Sequence, residues 1–331
     1  VATFYGNELL FGLVLAAWLA WVAVGSWGLG RLAERHRWGT LRAFAAGLAL
    51  AAALLPAQMG LVRGARTLLG VTPGAFVEFG PMVLTVVLAP APLCVLSGAL
   101  FTLGARLTVK RGGTAGQAYV WESAGAVAGG ALFSFVFVRW LDPFQTALLV
   151  GAVDLAVAVQ LLKGGALRQA PPQVRDDAQG SAGNLKPETW NLKLPVACFL
   201  LLTLAALLVG PTLHITTLHW QWTDLIFAAD SAYGRLTVQA RDGQRAFFEN
   251  GLLTFETQGV FPEEVTHFPL LAHPNPREVL LVGGGVAGDV REILKHPVDR
   301  VTYVELDPLL IEAAQAHLPP EDAAVLDDPR V

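Results

Sequence analysis

Apolar residues dominate the first two thirds of the chain in six long stretches, and then the pattern changes. The stretches run roughly 9–30, 41–62, 78–104, 118–138, 143–162 and 195–211. Crossing a ~30 Å hydrocarbon core takes about 20 mostly apolar residues, so each predicts a membrane span. The third holds Pro90 and Pro92, which predict one bent helix or a broken pair. The fourth carries Ala124, Gly125, Ala128 and Gly129, a small-residue face of the kind that lets helices approach closely. From 231 onward the period becomes two: 233–239 and 245–249 alternate around Asp242-Gly243, and Asn250-Gly251 introduces 252–257. Asp-Gly and Asn-Gly favour positive φ and predict hairpin turns, hence a small antiparallel sheet.

Composition supports two environments. Charged residues make up 15% of the 331, against roughly 25% in a usual globular protein. Residues 1–211 hold 15 Lys/Arg and 9 Asp/Glu, whereas 212–331 hold 8 and 18. This excludes a disordered chain, a disulfide scaffold and an ordinary soluble domain, and the acidic second part gives no basic surface for nucleic acid. Loops after spans one, three and five carry 12 Lys/Arg, and the opposite loops only Arg63, Arg66 and Arg139. The positive-inside rule then places the first set in the cytoplasm of a bacterial-type inner membrane, and everything after 212 outside it. The loop 164–193, with Pro171-Pro172, Gly180 and Gly183, reads as a flexible linker.

A few residues inside or beside the spans carry candidate chemistry. Glu122 and Asp154 are intramembrane carboxylates, each near a span end, with no second acid or His at helical spacing to form a relay. Cys94 and Cys198 read as small buried hydrophobes. His214, His219, Trp220 and Trp222 follow the last span. Without a Cys or carboxylate to complete a ligand set, an aromatic belt at the membrane surface explains them more simply than a metal.

The richest stretch lies further on. Residues 278–282 form a short buried-type strand, and Gly283, Gly284, Gly285 and Gly288 form a glycine turn. Residues 289–296 read as a helix and 300–305 as a second strand, with Glu305 lying 20 residues past Gly285. Strand, turn, helix, strand and acid in this register predict the first βαβ unit of a nucleotide-binding sheet. Glycines let the backbone approach a ligand, and an acid ending the second strand accepts from ribose hydroxyls. A structural turn without a ligand is the alternative.

In this region the chain resembles spermidine synthase, the polyamine aminopropyltransferase. The resemblance rests on His273-Pro-Asn-Pro-Arg-Glu and the strand and glycine turn that follow, on Val290-Arg-Glu-Ile-Leu-Lys-His-Pro297, and on Val304-Glu-Leu-Asp307. Upstream Ser231-Ala-Tyr-Gly, Glu263 with His267-Phe-Pro-Leu, and the closing Asp327-Asp-Pro-Arg-Val331 fall in the same order. Gly25-Ser-Trp-Gly-Leu-Gly-Arg-Leu-Ala-Glu34 and residues 119–130 are similar to bacterial membrane-integral spermidine synthase-like proteins, the fused transporter/spermidine synthases. The resemblance implies that Gly283, Gly284, Gly285 and Gly288 cradle the nucleoside of S-adenosylmethionine or its decarboxylated form, and that Glu305 holds the ribose. It implies as well that a catalytic aspartate would lie beyond Val331. The chain departs from the family where an Asp-Gly of the glycine motif is Val286-Ala287, where an Asp-Glu pair is Thr257-Gln258, and where a Tyr is Phe261. Each departure removes a charge or hydroxyl that would grip an amine.

The expected fold class is an α-helical membrane bundle followed by a small antiparallel β subdomain and the start of an α/β Rossmann-like, S-adenosylmethionine-methyltransferase-type domain. Its divisions are 1–211, 212–272 and 273–331. Three functions stay open. One is a non-catalytic binding or assembly subunit of a membrane complex, with lipid and protein subunits as partners. The others are a membrane-anchored aminopropyltransferase using decarboxylated S-adenosylmethionine, and a transporter. No catalytic residue and no metal site is assigned from the sequence.

Overall fold

The structure, a computed structural model, describes residues 8–35, 40–72, 74–168 and 193–331. Most of the linker expected over 164–193 therefore lies outside the described residues. The chain divides into two compact units. One comprises Phe11–Ala65 and Gly80–Leu218, the other Val1–Leu10, Arg66–Phe79 and His219–Val331.

The helical unit is built from α1 (Glu8–Arg35), α2 (Thr40–Leu68), α3 (Phe79–Leu88), α4 (Ala91–Lys110), α5 (Ala115–Leu132), α6 (Val138–Trp140), α7 (Pro143–Arg168) and α8 (Lys193–His219). Among the described residues six segments are long and apolar enough to cross a membrane, by length and composition. The third is a broken pair: α3 stops at Leu88, and α4 starts behind Pro90. A proline lacks the amide that would continue the ladder, which is why the break falls there. The fourth stretch runs as α5, a π-helical turn over Phe133–Phe137 and then α6. The last helix continues through Pro211 to His219, past the expected end at 211.

Close packing in this unit uses glycines other than those the pattern suggested. A Cβ on Gly98 of α4 would overlap the Val22 carbonyl of α1, and one on Gly25 would overlap the Val95 carbonyl. The Ser26 hydroxyl donates to Gly98 O at 3.0 Å across the same contact. By contrast, nothing lies within 4 Å of a Cβ on Gly125 or Gly129. Arg63, buried near the end of α2, donates to His214 O at 2.9 Å and to the Thr217 hydroxyl at 2.9 Å. His214 is thus held by a guanidinium. Cys94 is buried and both cysteines are free. Glu122 is exposed and Asp154 half-buried.

The second unit holds a four-stranded antiparallel sheet, β1 (Leu225–Asp230), β2 (Arg235–Arg241), β3 (Gln244–Glu249) and β4 (Leu252–Glu256), in sequential order. Asp242 and Asn250 take φ of 48° and 51° with glycine following each, so both hairpin turns form where the dipeptides stand. The first strand, β1, carries no turn dipeptide and was not legible in the pattern. Trp222, expected in an interfacial belt, is instead 5% exposed and packs its ring 4.7 Å from Phe248 of β3. Burying an indole against an aromatic removes more apolar surface from water than an interfacial position would. After the sheet come α9 (Phe261–Ala272), β5 (Glu278–Val282), α10 (Asp289–Ile293), β6 (Arg300–Val304) and α11 (Pro308–His317). Leu236, Val238, Phe247 and Phe255 of the sheet share one core with Val286, Ala313 and Ala314. The sheet therefore supports the glycine turn directly.

Candidate functional site

Strands β5 and β6 are parallel, with Val282 opposite Val304, and the Gly283 amide donates to Val304 O at 2.9 Å. The chain leaves both strands at the same edge, so the glycine turn and Glu305 lie together where ligands bind in open α/β sheets. Gly283, Gly284 and Gly288 adopt φ of 72°, 75° and 119°. Those values favour glycine strongly, which explains three of the four glycines. The fourth, Gly285, is required by space: a Cβ there would lie 2.5 Å from Cζ of the Tyr303 ring. All five residues expected at the site are thus gathered at one edge.

Glu305 is already engaged. Its Oε2 accepts from the Tyr303 hydroxyl at 2.5 Å and its Oε1 from the Leu306 amide at 2.8 Å. Burial, then the Glu305 carboxylate, push the Tyr303 phenol upward, while the amides of Val286 and Gly285 act in the opposite direction. One phenol therefore joins the turn to the strand-end acid. Glu249 of β3 is also raised, by burial first and then by Asp307 and Glu305, so three carboxylates share this edge. Asp307 is buried and caps α11 by accepting from the Leu309 amide at 3.0 Å.

On its other side the turn forms a wall of a pocket. Gly285, Val286, Ala287, Gly288 and Arg291 face Phe255, Glu256, Thr257 and Gly259, with Leu318, Asp322, Val325 and Leu326 closing it. Both of its carboxylates are internally bonded. Glu256 Oε2 accepts from Gln244 Nε2 at 2.7 Å, and Asp322 accepts from Arg291 Nη1 at 2.5 Å. Val286, where the resembling family carries an acid, belongs to the core. Thr257 Oγ1 accepts from the Arg245 amide at 3.0 Å, and Phe261 is exposed.

Behind the turn a charged clamp joins α9 to α10. Glu292 is 0% exposed and receives Lys295 Nζ at 2.5 Å and Arg291 Nε at 3.1 Å. His267 Nε2 lies 3.1 Å from the same carboxylate, and His267 Nδ1 lies 2.8 Å from His296 Nε2. Burial acts to raise Glu292, but the hydrogen bonds from Lys295 and Arg291 hold it below the usual glutamate range. Tyr303, Glu249 and the pairings of Glu256 and Asp322 were all missed in the sequence, because each depends on contacts that no local pattern records. Only Tyr303 left a trace, as an aromatic two residues before the strand-end acid. Among the described residues no three His, Cys, Asp or Glu side chains gather to hold a metal.

The unit that carries this site has a parallel βαβ arrangement, and it can be compared with known proteins. Residues 259–331 match the Spermine/spermidine synthase domain. The chain is 48% identical over 81 residues to the polyamine aminopropyltransferase of Shouchella clausii, covering 24% of this chain and 29% of that protein. It is 47% identical over 91 residues to the Bacillus subtilis polyamine aminopropyltransferase, covering 27% and 33%. Among solved structures, spermidine synthase from Thermotoga maritima matches at 33% identity over 32% of this chain and 39% of that one, with a TM-score of 0.31. The chain spans no more than a third of the length of the two curated relatives. Residues 259–331 are thus similar to the Spermine/spermidine synthase domain and hold the parallel β5–β6 pair, and a small sheet and a region of apolar helices precede them.

Proposed function

We propose that the protein is a multi-pass membrane protein whose spermidine synthase-like domain binds an S-adenosyl-type nucleoside without transferring an aminopropyl group. In this reading it serves as a binding or assembly subunit beside other membrane proteins. The observation that carries it is the pocket behind the glycine turn. Glu256 and Asp322 are internally paired, Arg291 brings a positive charge, and Val286 lies where an acid would grip an amine. Such a wall leaves a polyamine few open carboxylate acceptors, because Arg291 and Gln244 already occupy them. Gly283, Gly284, Gly285, Gly288 and Glu305 still keep the register that suits a nucleoside.

The membrane reading rests on the six apolar segments and the loop charges. A further observation supports it. The segment Arg66–Phe79, which joins the second and third spans, falls in the same compact unit as His219–Val331, and Gly74 bridges Leu252 of β4. Both must then face the same side of a bilayer, as an even number of crossings between them requires. The positive-inside bias makes that side the outer one.

The 48% identity to an aminopropyltransferase favours a second reading, a membrane-anchored enzyme. There an amine nitrogen would attack the carbon beside a sulfonium, the C–S bond would break, methylthioadenosine would leave, and the nitrogen would lose a proton. Titration calorimetry of the full chain in detergent, paired with a transfer assay using putrescine, separates the two. Binding of methylthioadenosine without transfer is expected, and measurable spermidine formation would overturn the non-catalytic reading. For topology, a reporter active only outside the cytoplasm, fused after Asp230, should be active; activity of a cytoplasm-only reporter there would refute the assignment.

A further inference from the structure

Two imidazoles meet where α9 lies against the turn that follows α10, and neither lines the pocket. His267 Nδ1 lies 2.8 Å from His296 Nε2, and His267 Nε2 lies 3.1 Å from Glu292 Oε2. The Glu292 carboxylate is 0% exposed and held below the usual glutamate range, so it can only accept. His267 Nε2 therefore carries its hydrogen. With the pair neutral, His296 Nε2–H donates to the bare His267 Nδ1. One added proton still leaves a single N–H between the rings, whichever ring carries the charge. A second added proton puts an N–H on both facing nitrogens, and the bond between them is lost. The other charged groups around the pair are engaged or open to water. Arg291 and Lys295 bond to Glu292, Asp322 accepts from Arg291, Arg330 bonds to Asp328 and the Leu294 carbonyl, and Arg277 bonds to Asp299 and the Pro297 carbonyl. Glu263 and Glu264 of α9 are exposed.

We propose that His267 and His296 form a proton-operated latch on α9, closed with no added proton or one and opened by the second. The first cation to form can sit on His267 beside the Glu292 carboxylate, so the singly protonated latch is at least as firm as the neutral one. The second proton sets two cations at hydrogen-bond distance, next to Arg291 and Lys295, which the same carboxylate already neutralises. That repulsion drives α9 from the turn after α10. The latch acts on the glycine turn through the start of α9. A Cβ on Gly288 would lie 3.2 Å from Pro262 in the first turn of that helix, and Thr257 and Gly259 just before it line the pocket. Opening the latch therefore loosens one wall of the pocket. No ligand is needed for it to work, so the inference stands apart from the nucleoside reading.

Hydrogen exchange on the full chain in detergent tests this, with protection of the α9 amides compared with that of β2 and β3 in the same sample. From pH ~8 to ~6.5 the protection of α9 should hold, and by pH ~4.5 it should fall at least ~10-fold further than that of the two strands. Glutamine donates and accepts at either position and takes up no proton. H296Q and H267Q should therefore each keep α9 protection within about twofold over the same range. Should one variant fail to fold, the other carries the comparison. An acid-induced loss in the variants as large as in wild type would place the trigger at Glu292 or another acid and overturn the latch. Equal loss in α9 and the strands, or no loss in wild type, overturns it as well.

Discussion

The Tyr303 hydroxyl donates to Glu305 Oε2 at 2.5 Å, and its ring lies against the α-carbon of Gly285. A single side chain thus ties the strand-end acid to the glycine turn. The acid that would hold a ribose is engaged before any ligand arrives. Y303F leaves the ring packing intact and removes the phenol. It should release Glu305 and tighten methylthioadenosine binding several-fold, at a stability cost of about 1 kcal/mol for the lost hydrogen bond. Calorimetry and thermal unfolding of the full chain read both effects. Weaker binding in Y303F would mean that the phenol itself contacts the nucleoside.

The same packing predicts the outcome of G285A. A methyl placed 2.5 Å from Cζ of Tyr303 must displace either the ring or the turn. A loss of about 1–3 kcal/mol is expected, and shortening the neighbour in G285A/Y303L should recover part of it. A double variant no more stable than G285A would show that the strain lies elsewhere in the turn.

Asp289 gives a pH signature. Its acid is raised from 3.8 to about 6 by burial, so between those values the folded chain holds more of this proton than the unfolded chain does. Stability from this group therefore falls as pH rises from about 4 to about 6 and stays lowered above that. D289N should be more stable than wild type at pH 7 by about 2–3 kcal/mol and equal to it near pH 3.5. Unfolding midpoints measured across that range check the crossover.

Glu292 predicts the opposite sign. Its acid is held below 4.5, so it stabilises the fold above that pH and ceases to do so once it is protonated. E292Q leaves Lys295 and Arg291, both partly open to solvent, facing a neutral amide. It should cost about 1–2 kcal/mol at pH 7, with the deficit shrinking in acid. A deficit independent of pH would assign the loss to packing rather than charge.

In the helical unit, G98L should lower the unfolding midpoint sharply or abolish folding, because the Val22 carbonyl occupies the space. G125L, with nothing within 4 Å, should stay within about 0.5 kcal/mol of wild type. Detergent unfolding of the pair compares them directly.

What the sequence determined was local or compositional. Six apolar stretches, a disturbance of the third at Pro90, the two hairpin turns and the strand–glycine–strand register are each set by neighbouring residues through side-chain hydropathy, a missing amide or a positive φ. Tertiary structure decided the pairings. It chose Gly98 and Gly25 over Gly125 and Gly129 for the close helix approach. It drew Trp222 into the sheet core, and it bonded Glu256, Asp322 and Glu305. A carboxylate's chemistry depends on the donors within about 3 Å of it, and those come from segments tens of residues away, which no local pattern records.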